Sequence, residues 1–239
     1  MATHGTVLQT RSAQRLFGGD FTGGTSVDEE FGTSQLGLGV MAGLDGEVVS
    51  IDGTTWRVPV DGVPVIVDGD GEVAFGVAAH GGIVHELVIA AGSDMEAISD
   101  AIEAFIADSH ENPGAVVAAV RIDGAFRDVL VRTIAHPDRV GETLCEVIDS
   151  EIRFPFESWH GTLVGFRFPE HATGPVIPGL HLHALAEDRQ SGGHVRDATA
   201  VSVAARIWLD DFGALVEAAS EPVAPGGTLD FGKLEGPVS

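Results

Sequence analysis

The stretch GLHLHALAEDRQSGGH, residues 179–194, constrains this chain more than any other. It places His181 and His183 either side of Leu182, then leaves a ten-residue gap before His194, which follows Gly192-Gly193. A strand over 180–186 puts His181 and His183 on one face and Leu182 on the other, because strand side chains alternate with period two. The polar run Glu187 to Gly193 reads as a turn returning the chain antiparallel, so that His194 opens the next strand close to His183. Three imidazoles converging without a fourth protein ligand form the pattern of a catalytic metal site, whose open position takes water or substrate. The same spacing also fits two surface histidines on an edge strand and a third in a turn. A structural zinc site would want four protein ligands, usually with several cysteines, and Cys145 is alone.

The rest of the composition agrees with a compact, strand-rich protein. Apolar residues make up 44% of 239 and there are 32 glycines, which suits many strands joined by turns, whereas helical periodicity is too sparse for a bundle. The formal charge of −23 argues against nucleic-acid binding, since nothing so acidic neutralises phosphates. Twelve of the 13 basic residues are arginine, with Lys233 the exception. A single cysteine allows no intrachain disulfide. The first residues lack the apolar run of a secretory signal, and no stretch reaches the length of a membrane span. A soluble, cytoplasmic protein with no membrane partner is expected.

Taken in order, residues 1–35 read as a solvated, polar, glycine-rich lead-in, mostly loop with one short helix or strand, and carry an acidic cluster at Asp28, Glu29 and Glu30. An N-terminal subdomain is expected over 36–112. Its strand signals are Leu36–Leu44, Glu47–Ile51 and Thr54–Val60, the last two joined at Asp52-Gly53, then 71–79 and 82–90. Ser93 with Glu96 looks like a capping box opening a helix that ends near Asp108. Met95, Ile98, Ile102, Phe105 and Ile106 form its apolar stripe, which is core. A metal-binding subdomain is expected over 113–220. It begins with strands Val116–Ile122 and Phe126–Thr133 turning at Asp123-Gly124, then a short helix over Leu144–Ile152. After the histidine hairpin come a strand over Val201–Leu209 and a short helix over Phe212–Ala219. The tail, 221–239, keeps Leu229, Phe231 and Leu234 and is expected to dock at the active site.

Three charged residues stand out near this scheme. Arg132, in VLVRT, is by the usual rule a snorkelling surface residue, yet a cation beside a metal would orient a substrate carboxylate. Glu47 reads as an exposed strand glutamate, and Glu235 lies where a closing tail would deliver a carboxylate. His4, His110, His136, His160 and His171 lie near turns or loops and read as solvated, with His171 alone in reach of the outer shell of a metal. His80 and His85 lack acidic partners and suggest no second site. There is no GxGxxG, Walker loop or GxSxG elbow.

At these residues the chain resembles the alpha-acetolactate decarboxylase family. The resemblance rests on GTLVGF at 161–166, Pro169, PGLHLH at 178–183, Asp188-Arg189 and GGH at 192–194. It is joined by RIDGAF at 121–126 with VLVRT, by GLDGEVVSIDG at 43–53, and by KLEG near the end. It covers roughly residues 36–235. The resemblance implies zinc ligands His181, His183 and His194, with Arg132, Glu47 and Glu235 as catalytic residues. It implies an α/β fold of the α+β type, with two small mixed sheet-and-helix domains, a metal cleft in the C-terminal half, and a homodimer. The implied reaction converts (S)-2-acetolactate to (R)-acetoin and CO2 through a metal-stabilised enediolate, with Zn2+ as cofactor. Two departures are visible: the family's threonine seven residues before the first glutamate is Val40 here, and the region before residue 36 looks diverged. Two rival readings remain. A cupin-like site would recruit Glu187 as a ligand, and an inactive metal- or ligand-binding module would keep the fold without turnover.

Overall fold

A computed structural model describes residues 5–172 and 175–212. The first sheet contains β1 (Thr6–Thr10), β2 (Thr25–Ser26), β3 (Leu36–Met41), β4 (Glu47–Ile51), β5 (Thr54–Val58), β6 (Val65–Ile66) and β7 (Glu72–His80). Their order is β1-β7-β3-β4-β5-β6, with β2 also on β7, and every pairing is antiparallel. The second sheet contains β8 (His85–Leu87), β9 (Val116–Thr133), β10 (Ile152–Phe168), β11 (Gly179–Ala186) and β12 (Gly192–Asp211), in the order β11-β10-β9-β12-β8. Because β11 also pairs with β12, strands β9 to β12 close into a ring.

The helices are α1 (Ala13–Phe17), α2 (Val27–Phe31), α3 (Met95–Ser109) and α4 (Leu144–Ile148). Strand alternation sorts the apolar residues into three clusters. Leu36, Leu38, Val40, Val49, Ile51, Phe75 and Val77 meet Val117, Ala119, Val164, Phe166, Leu185 and Trp208 between the sheets, with α1 and α4 adding Leu16, Phe17, Leu144 and Val147. Phe31 and Val27 of α2 cover the outer face of the first sheet. Phe31 lies so close that a Cβ at Gly37 would fall 2.4 Å from its ring, which explains a glycine inside an apolar strand. On the outer face of the second sheet, Ile98, Ile102 and Ile106 of α3 are fully buried, each contributing about 1.5–3 kcal/mol of apolar burial. The layers are therefore helix, sheet, sheet, helix.

Several expectations need correction. Residues 1–35 are no solvated lead-in: β1 pairs with β7, and Ala13, Leu16, Phe17, Phe21, Val27 and Phe31 are buried. The acidic cluster belongs to α2, whose capping box joins Ser26 to Glu29, a signal present in the sequence. The division at 112/113 does not follow the sheets. Strand β8 pairs with β12 and α3 packs on the second sheet, so the chain changes sheet between His80 and His85. The helix cap is Asp94, accepting from Ala97 N, one residue after Ser93.

Asp123-Gly124 makes no turn. β9 runs through it, with Gly161 opposite Gly124 and Thr162 opposite Asp123 in β10. Arg121, Thr162 and Arg206 bond the Asp123 carboxylate, and Gly124 (φ 145°) lets β12 approach to where a Cβ would meet Ser202 O at 2.2 Å. The helix expected over Phe212–Ala219 lies, beyond Phe212 itself, outside the described residues, as do the tail 221–239 and Glu235.

Candidate metal centre

The hairpin built from β11 and β12 sets the histidines. His183 stands directly opposite His194 across the ladder, as the spacing implied. On β11, Leu182, Ala184 and Ala186 face α3, so His181 and His183 share the opposite face with Leu185 and point toward the first sheet. The turn beneath them is held by Trp159 Nε1 donating to Ser191 Oγ (2.9 Å) and by the Arg189 guanidinium stacked 4.9 Å from the Trp56 ring of β5.

Arg132 reaches the same face through an irregularity. Along β9 the apolar residues facing α3 change phase, from Val120, Ile122 and Phe126 to Val129 and Val131. The change falls at Asp128, whose φ of 52° breaks the alternation. After it, Arg132 turns between the sheets beside His194, its Cα partner on β12. Only 2% of the arginine is exposed, so of its two sequence readings the snorkelling surface residue is the one that does not hold.

Glu47 is likewise no surface residue. It alternates with Val49 and Ile51 toward the inter-sheet core and is 4% exposed. Arg132 Nη1 donates to Glu47 Oε1 at 2.9 Å, and Glu47 Oε2 lies 3.6 Å from His183 Nε2. The histidines and Arg132 come from the C-terminal half, but Glu47 and the Val48 carbonyl come from the N-terminal half. The site is therefore shared between the two sheets.

His181, His183 and His194 are all buried, and one ring nitrogen from each lies within 4.8 Å of the others. His181 Nε2 and His183 Nε2 are 3.1 Å apart. Ligand nitrogens at about 2.0–2.1 Å from a tetrahedral ion stand about 3.4 Å apart, so this separation is close to what one ion needs. His183 Nδ1 donates to Val48 O at 2.8 Å, which fixes the proton on Nδ1 and leaves the Nε2 lone pair facing the cluster. Burial holds His183 well below the usual imidazole range, with His181 and Arg132 adding to the effect. Burial does the same for His194, followed by the charge of Arg132. Both rings are thus neutral near pH 7, the state that binds metal. The residues present fit a metal ion.

The cavity above the histidines is lined by Glu47, Arg132 and the apolar side chains Leu38, Val40, Phe75, Leu144 and Ile177. Val40, the departure noted in the sequence, stands opposite Glu47 in the β3–β4 ladder. Glu187 is exposed in the turn after β11 and is not in the histidine group, so it is not the ligand a cupin-like site would require. His171 is exposed against the Phe212 ring and lies outside that group. Two participants escaped the sequence reading. The Val48 carbonyl has no side-chain signature, and Glu151, 3.3 Å from Arg132 Nε, sits in an unremarkable acidic turn.

The alpha-acetolactate decarboxylase family model matches residues 7–212. The chain is 28% identical over 191 residues to the alpha-acetolactate decarboxylase of Methanosarcina mazei, covering 80% of this chain and 65% of that protein. It is 30% identical over 193 residues to the Bacillus licheniformis alpha-acetolactate decarboxylase, covering 80% and 74% respectively. Its fold is similar to the crystal structure of alpha-acetolactate decarboxylase from Bacillus subtilis strain 168, with a TM-score of 0.75 at 26% identity over 86% of this chain and 85% of that one.

Proposed function

The chain belongs to the alpha-acetolactate decarboxylase family of carboxy-lyases, and on that premise we propose that it converts (S)-2-acetolactate to (R)-acetoin and CO2 with Zn2+ as cofactor. The observation that carries the reading is the meeting of three buried histidines with the buried Arg132–Glu47 pair on one cavity. His181, His183 and His194 would hold the ion. A zinc ion held there would supply Lewis acidity for the negative charge that develops on the substrate.

The chain's own groups account for the remaining needs. Arg132 offers the guanidinium that orients the departing carboxylate through paired hydrogen bonds. Leu38, Val40, Phe75 and Ile177 exclude water, and an apolar wall disfavours a carboxylate relative to neutral CO2. Loss of CO2 leaves an electron pair on the carbon that bore the carboxylate, and a proton must reach one face of it. Glu47, whose Oε1 accepts from Arg132, would move that proton. Glu235, in the tail proposed to dock at this site, is the second candidate. The proposal extends to a cytoplasmic homodimer taking acetolactate as its small-molecule substrate, a picture that rests on family resemblance.

The test is His183→Ala. Zinc content and acetoin formation should both fall to near background, with the fold retained by circular dichroism. A variant that kept full zinc and full turnover would overturn the scheme.

A further inference from the structure

Arg132 has a like-charged neighbour. In the β9–β10 ladder its Cα partner is Arg153, so two guanidinium stems leave the same face of the sheet side by side. Like charges placed directly opposite repel, and here one of the two is 2% exposed and poorly screened. Glu151 lies between them. Its Oε1 accepts from Arg153 Nε at 2.5 Å, and its Oε2 lies 3.3 Å from Arg132 Nε.

The Glu151 side chain is only 8% exposed, whereas that of Arg153 is 58% exposed. Arg132 Nε and Glu151 Oε2 are both buried and make no hydrogen bond among the described residues, so each depends on the other for compensation. The backbone sets this position: Glu151 N donates to Ile148 O at 3.0 Å, closing the turn after α4 just before β10 begins. A guanidinium is planar and rigid, so a carboxylate at Nε and another at Nη1 together fix its plane.

We propose that Glu151 is a positioning residue for the decarboxylation: it separates Arg132 from Arg153 and holds the Arg132 guanidinium toward Glu47 and the histidine cavity. Surface and site are thereby joined in one row of alternating charge, Arg153, Glu151, Arg132 and Glu47. The proposal rests on the reading of Arg132 as the carboxylate-orienting group, and its test has an arm that needs no substrate.

The experiment compares wild type, Glu151→Gln and the double variant Glu151→Gln/Arg153→Met, all loaded with zinc. Glu151→Gln should lower kcat/KM for acetolactate by about 10- to 100-fold, the scale of loss for a misplaced catalytic group, with zinc content intact. Removing the Arg153 charge as well should restore most of that loss. A lost packing contact would not be mended by a second truncation. The Arg132 Nε–H signal in NMR, assigned by its absence from Arg132→Lys, should exchange at least about tenfold faster with solvent in Glu151→Gln. Kinetics within twofold of wild type, or no recovery in the double variant, would overturn the proposal. If Glu151→Gln does not fold, the double variant must fold and turn over, and its failure to do so is equally contrary. A wild-type protein that makes no acetoin would sink the proposed function instead, and the exchange rate of Nε–H would still decide for or against Glu151.

Discussion

Replacing Arg132 by methionine removes a buried cation while keeping most of its volume. Two carboxylates then lose it: Glu47 at 2.9 Å and Glu151 at 3.3 Å. At an effective dielectric of about 20, the first contact alone carries about 6 kcal/mol of attraction. Desolvation of the pair cancels part of this, and removing one partner of a buried pair typically costs about 3–5 kcal/mol. That is the expected destabilisation at pH 7, measured by urea unfolding of chelated protein so that metal binding does not enter. A change below about 1 kcal/mol at pH 7, the range of an exposed ion pair, would refute the claim that Arg132 is a buried, ion-paired cation.

Three further outcomes follow from the same geometry. Burial raises the Glu30 carboxyl above its usual value of 4.5, against the opposing hydrogen bond from Thr10. A folded pKa above the unfolded one gives stability that is present at low pH and lost as pH rises through the folded pKa. Glu30→Gln should therefore be more stable than wild type at pH 7 and lose that advantage near pH 4, and equal stability at both pH values would contradict the burial argument. Gly193→Ala would bring a Cβ 2.5 Å from Arg132 O at a φ of 136°, one residue before His194. Zinc affinity should fall about 10- to 100-fold in a competitive chelator titration, as when a metal ligand loses its support. Glu187→Gln should keep its full zinc content by metal analysis, since Glu187 is exposed in the turn. Loss of metal there would revive the cupin-like arrangement.

The features legible in the sequence were the local ones. A period of two, a polar turn and a glycine pair sufficed to bring His183 opposite His194, because a hairpin is specified by its own residues. The α3 stripe was readable for the same reason, as Ile98, Ile102 and Ile106 lie on one side of a helix whatever they pack against. What the local pattern could not show depended on distant partners. Glu47 resembles an exposed strand glutamate until a second sheet covers it with Arg132. Arg132 resembles a surface residue until the phase change at Asp128 turns it inward. Asp123-Gly124 has the composition of a turn, yet both flanking ladders hold it extended. The assignment of β8 and α3 to the second sheet was hidden because both are compatible with either face until β12 is in place. The proposed reaction came from the motifs shared with a family, and the geometry explains what those motifs assemble.

The most direct measurement is acetoin formation from racemic acetolactate by the purified protein, first as isolated, then after chelation, then with zinc restored. The account predicts acetoin that disappears with the chelator and returns with zinc. A folded, zinc-loaded protein that forms no acetoin would contradict it, and the three buried histidines would then serve a different substrate.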